Sequence, residues 1–167
     1  ARGQNNPSIL RALKSCEKSK VDTITVHLRE DRRHIKDKDL ILLKKNSILP
    51  INLEMALTSE MIEISKKIKP RFICLVPEKR NEITTEGGLN LEKISIKKLN
   101  LLMTICNSYK IQLSAFINPK KKMIDIACRL GFHAVELHTG PFDKDKVNKL
   151  DIKKINEMID YSFKKNL

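Results

Sequence analysis

The sequence predicts an α/β protein built on a parallel sheet with crossover helices. Three observations carry that expectation. Helix-period and strand-period patterns alternate along almost the whole chain. Three of the strand patterns break an otherwise apolar run with ionisable residues, on one face and close to the C-terminal end. Neither GxGxxG nor GxxxxGK[ST] occurs, and the Gly87-Gly88 pair lies outside any such motif, so nucleotide-binding open sheets lose their main support. A doubly wound sheet and a (β/α)8 barrel are the two architectures that remain.

Residues 7–19 read as a helix, with Asn6 able to cap, Pro7 in the first turn, and Ile9, Leu10, Leu13 and Cys16 in one stripe. Residues 22–28 read as a strand, 37–46 as a helix opened by Asp37, and 50–55 as a second strand. Thr58 caps the next helix, whose inner face carries Met61, Ile64 and Ile68 before Pro70 ends it. RFICLVP is a third strand, and the loop EKRNEITTEGG leads into a long helix over about 92–109. IQLSAFI is a fourth strand. Asn118-Pro119 opens a helix carrying Met123, Ile124, Ala127 and Leu130, and Gly131 stops it. HAVELHT is a fifth strand, and a closing helix over 151–165 places Ile152, Ile155, Ile159 and Phe163 at helical spacing.

The chain has 167 residues, of which 41% are apolar and 32% charged, so one globular domain with a core of its own is expected. Its apolar runs are too short to cross a membrane, and ARGQNNPSIL lacks the apolar stretch of a signal peptide, which points to the cytoplasm and to no membrane partner. Cys16, Cys74, Cys106 and Cys128 are far apart among apolar neighbours and read as reduced thiols rather than a zinc site. The net charge of +13 is compatible with nucleic acid or with anionic substrates. However, much of the excess is lysine scattered along helices, aromatics are 4%, and tryptophan is absent, which supplies a stacking platform poorly. A solvated basic surface with no nucleic-acid partner is the preferred reading, and a basic nucleic-acid-binding module is the rival.

Side chains alternate along a strand. In TITVHLR this puts Ile24, Val26 and Leu28 on one face and Thr23, Thr25, His27 and Arg29 on the other. In INLEM, Asn52 and Glu54 face away from Ile51, Leu53 and Met55. In AVELH, Glu136 and His138 share a face. Taken alone, His27 reads equally well as a hydrogen-bonded core histidine, and Glu54 as the structural partner of an arginine. Three strands doing the same thing is harder to place in a dry core, because an unpaired buried charge is expensive. In a barrel such strand ends form the rim where active sites are built. There His27 can act as both acid and base, and a nearby carboxylate can be a second base. Arg29 and His34 can hold a phosphate, and Thr84 with Gly87-Gly88 adds a hydroxyl and accessible amides on a loop. The set suits proton transfers on a phosphorylated small molecule with no metal and no redox cofactor. Glu30, Asp31, Arg32 and Arg33 read as pairing or solvated residues.

In order and spacing, ARG, HLREDRRHI, NLEMA, CLVPEKRNEITTEGGL and VELHTG resemble the pyridoxine 5′-phosphate synthases of deoxyxylulose-dependent vitamin B6 biosynthesis. The resemblance implies a (β/α)8 barrel, here incomplete, whose five strands match the second to sixth of the family. It implies a homo-octamer. It also implies condensation of 1-deoxy-D-xylulose 5-phosphate with 3-amino-1-hydroxyacetone 1-phosphate to pyridoxine 5′-phosphate, phosphate and water, with no cofactor. By motif position it implies that His27 and Glu54 are proton acceptors and Glu136 a transition-state stabiliser. Arg29, His34 and Thr84 become ligands of deoxyxylulose phosphate, Arg2 a contact to the amino-ketone, and the 78–88 loop a lid. On the same resemblance, the family's first strand and its last strands, which carry the proton-donor histidine, are missing here. The chain is therefore expected to be a fragment that does not complete the reaction alone. Two further alternatives are a non-catalytic truncated remnant and another phosphosugar barrel enzyme. An aldolase of that kind would want an inward strand lysine, and no strand pattern supplies one.

Overall fold

A computed structural model describes residues 8–78, 87–140 and 149–167. Helix α1 (Ile9–Lys18) leads into β1 (Ile24–His27), followed by α2 (Asp37–Asn46), β2 (Ile51–Met55), α3 (Ser59–Ile68) and β3 (Phe72–Leu75). A short 3-10 turn (Leu91–Lys93) then precedes α4 (Ile96–Tyr109), β4 (Gln112–Ile117), α5 (Lys121–Arg129), β5 (Ala134–Leu137) and α6 (Lys149–Lys164). The five strands form one sheet in the order β1-β2-β3-β4-β5, every pair parallel. Sequential order with a helix at the crossovers is the barrel alternative, since a doubly wound sheet reverses its strand order at a switch point.

Strand alternation sorts the side chains. Leu28, Leu53, Met55, Ile73 and Leu75 are fully buried, and they join Leu40, Leu43, Met61, Ile62, Leu99, Leu102 and Ile124 from the helices in one core. On the other face Thr25, Gln112, Ala134 and Glu136 are exposed. Thus the helices cover one side of the sheet, and the inward side is where chemistry remains accessible.

Local rules account for most boundaries. The Thr58 side chain accepts the Met61 N–H at 3.2 Å as the cap of α3, and the left-handed Lys69 ends that helix one residue before Pro70. Gly131, with φ +80, follows α5. Helix α2 spans 37–46 and opens at Asp37 as expected, with Lys36 as its N-cap, whose N–H Asp39 accepts at 2.9 Å. Two expectations shift. The 92–109 helix is two pieces, because Ile94 and Ser95 are extended and α4 starts afresh at Ile96. Asn118 does not open α5: its Oδ1 accepts the Gly88 N–H at 2.9 Å, and the helix begins at Lys121. Asn6 and Pro7 lie outside the described residues.

Candidate active site

The register of the sheet brings chemistry into one row. His27 pairs with Glu54, and Glu54 with Cys74, at the C-terminal ends of β1, β2 and β3. Each points inward because its neighbours Val26, Leu53 and Ile73 are committed to the core. His27 Nδ1 lies 3.8 Å from Glu54 Oε2, with 30% and 23% of the two side chains exposed. On its other nitrogen, Nε2, His27 is 3.1 Å from Glu78 Oε1, a carboxylate just beyond β3 that is only 5% exposed. Glu136, on β5, accepts from the Cys74 thiol at 3.6 Å and so reaches across β4 toward the same row.

The electrostatics follow from crowding. Burial pushes the Glu54 carboxyl above its ordinary value, the Glu136 charge adds to the push, and His27 opposes it. The Cys74 thiol is pushed up to about 12, first by burial and then by Glu136 and Glu54, against a hydrogen bond to Ser114. Cys74 is therefore a neutral donor to Glu136 and not a nucleophile. Among the described residues, no group of three or more His, Cys, Asp and Glu side chains is arranged to hold a metal ion. Nor is any described helix long and apolar enough to cross a membrane.

The structure thus brings together His27, Glu54 and Glu136. Arg29 is turned back on its own loop, where Nε donates to Asp31 Oδ1 at 3.2 Å, and that bond raises its pKa. His34 is exposed and lines, with His27, Ile35 and α1, a cleft of about 340 Å³ along the free side of β1. Arg2, Thr84 and most of the 78–88 loop lie outside the described residues. Arg32 is structural, as its place among the pairing residues implied. It donates to the carbonyls of Arg29 and Glu30 at 3.2 and 3.0 Å and pairs with Asp37 and Glu60.

One contributor, Glu78, is missed by the sequence reading, which takes Cys74 only as a reduced thiol and places His138 on the face of Glu136. Cys74 shares the inward parity of Phe72 within β3, whereas Glu78 lies beyond the end of the strand at Leu75, where that parity no longer applies. His138 packs on the Phe116 ring, with centroids 5.0 Å apart, and is hemmed by Gly87 and Gly140. A Cβ at Gly140 would sit 2.4 Å from the His138 ring, so any other residue there would displace the ring from its present place.

Comparison with solved structures defines the class first. The chain superposes on a D-psicose 3-epimerase from Clostridium cellulolyticum H10 with a TM-score of 0.54 at 9% identity, covering 92% of this chain and 66% of that one. It also superposes on the YdjI aldolase of Escherichia coli K12 with a TM-score of 0.51 at 10% identity, covering 97% and 64%. At such identities the likeness speaks for fold alone, and the protein is an incomplete (β/α)8 barrel. The family model described as pyridoxal phosphate biosynthesis protein PdxJ matches residues 1–167, and the chain belongs to that family. A pyridoxine 5′-phosphate synthase of Prochlorococcus marinus (strain MIT 9515) is 49% identical over 144 residues, which are 85% of this chain and 60% of the relative. That of Pelagibacter ubique (strain HTCC1062) is 45% identical over 165 residues, 95% of this chain and 69% of the relative. That of Aliivibrio fischeri is 41% identical over 170 residues, 100% and 70%. The chain therefore spans roughly half to 70% of the length of the curated relatives it matches.

Proposed function

We propose that this chain carries the acid/base half-site of a pyridoxine 5′-phosphate synthase. The reaction joins 1-deoxy-D-xylulose 5-phosphate to 3-amino-1-hydroxyacetone 1-phosphate and releases pyridoxine 5′-phosphate, phosphate and water. The observation that carries this reading is His27 standing between Glu54 and Glu78 at the strand ends, with Glu136 beside them. An amine adds to a ketone and loses water, phosphate leaves, and the ring closes with further dehydration. Each step moves a proton, so adjacent bases of unlike chemistry are useful. In this reading His27 and Glu54 accept protons, and Glu54, held above its ordinary pKa, can also return one. Glu136 faces developing positive charge on the amine-derived nitrogen. Arg29, His34 and Thr84 hold deoxyxylulose phosphate, and Arg2 the amino-ketone. Arg29 exchanges Asp31 for the substrate phosphate, a bidentate partner of higher charge. Assembly is as a homo-oligomer, an octamer by family resemblance, which sedimentation would test.

The test joins this chain to the parts of the Pelagibacter ubique relative that its match leaves uncovered. Both substrates are supplied and products are followed by mass spectrometry. Pyridoxine 5′-phosphate is the expected product. A folded chimera without it sinks the catalytic reading and leaves the non-catalytic remnant.

A further inference from the structure

We propose that Glu78 is a positioning residue, which holds His27 with its proton on Nε2 and turns the bare Nδ1 toward Glu54 and the open inward face. This deepens the reading of His27 as a proton acceptor and rests on it for its catalytic meaning, though the tautomer itself does not.

The geometry has two halves. Glu78 is anchored from behind: the Glu30 backbone N–H donates to its Oε2 at 2.8 Å. That amide is itself fixed, because the Arg32 guanidinium holds the Glu30 and Arg29 carbonyls. The carboxylate is 5% exposed, so water competes little for it, and its Oε1 is left aimed at His27 Nε2 at 3.1 Å. A carboxylate only accepts, so the nitrogen facing it must be the donor. In the neutral ring the other nitrogen is then the base. That nitrogen, Nδ1, is 3.8 Å from Glu54 Oε2. This is beyond hydrogen-bond length, and leaves both acceptors facing a gap that a substrate proton can enter.

The charges of HLREDRRHI acquire a division of labour. Arg32 holds the loop, the loop amide of Glu30 holds Glu78, and Glu78 holds His27. The chain of contacts ends on the atom that takes the proton.

Nitrogen NMR of the 167-residue chain tests this directly, since the sequence has four histidines and the proton-bearing and bare ring nitrogens resonate far apart. At alkaline pH the wild-type His27 is expected to show Nε2–H and a bare Nδ1. In E78Q the amide can present its N–H to Nε2, and the proton is expected to move to Nδ1. A wild-type His27 protonated on Nδ1 overturns the proposal whether or not the variant folds. So does a folded E78Q whose tautomer is unchanged.

Turnover in the chimera described above separates this from the functional reading. There E78Q is expected to lower kcat with KM nearly unmoved. The same carboxylate-to-amide change behind a serine-protease histidine removes about 10⁴ in kcat by presenting the wrong tautomer. An E78Q chimera with wild-type kcat overturns the positioning role. An inactive wild-type chimera that still shows His27 Nε2–H overturns the function and retains the positioning.

Discussion

The two faces of the sheet are made by the same strands, yet they answer to different physics. On the outward face Leu28, Leu53, Met55, Ile73 and Leu75 are sealed under the helices, and any apolar residue of similar volume would serve there. On the inward face His27 and Glu54 are half-buried and Glu136 is exposed, and the two carboxylates crowd like charges that water would rather separate, with His27 beside them. Burial of the first set holds the second in place: each inward residue is aimed by the commitment of its two neighbours to the core. One face should therefore respond to substitution with stability and the other with rate.

The largest effect is expected for His27→Gln in the active chimera. Glutamine keeps a donor for Glu78, so the fold should persist, while turnover should fall by about a hundred- to ten-thousandfold as the base is lost. Thermal unfolding alongside the assay checks both halves. A wild-type rate would break the division between the faces at its centre. Next comes Leu53→Ala on the outward side, at a fully buried position in the middle of β2. It should lower stability by about 2–5 kcal/mol, measured by urea unfolding. In any variant fraction that remains folded, the His27 tautomer should be intact. Smaller again is Thr58→Ala, which removes the cap on the Met61 N–H and should destabilise by about 1 kcal/mol in the same assay.

How much of this the sequence carries depends on whether a residue lies inside a regular element. Within β1 and β2 the period of two placed His27 and Glu54 inward, and the register then set them side by side. The period stops informing where the strand stops. Arg29 has inward parity, but β1 ends at His27, the chain turns, and Asp31 two residues on captures the guanidinium. Glu78 shows the opposite case: the chain leaves β3 at Leu75, and it takes the Glu30 amide, distant in sequence, to bring the carboxylate back to His27. Asn118 illustrates a competition that local rules cannot see. As a cap it would serve α5, but the Gly88 amide comes close enough to claim its oxygen. The split before α4 has a simpler cause, since Leu91 and Ile94 fit a helical spacing while serving the 3-10 turn and its extended exit.

The smallest expected effect, that of Glu54→Gln, is also the one that distinguishes the faces most sharply. A carboxyl whose folded-state pKa lies above its unfolded value binds more protons in the folded state across the interval between the two. Stability then falls as pH rises through that interval. Burial and the Glu136 charge put Glu54 in this position, so its ionised form is a load on the fold rather than a support. Glutamine cannot ionise. At neutral pH the variant should therefore be as stable as wild type or slightly more so, and the difference should vanish as pH drops below the ordinary carboxylate range. Urea unfolding at a series of pH values checks the sign. A variant less stable at neutral pH would show that Glu54 is held by favourable pairing with His27, and that the inward face supports the fold as the outward face does. A variant more stable yet inactive in the chimera would mean that the fold accepts a strained carboxylate where a neutral amide would be easier, for the sake of a proton acceptor beside His27.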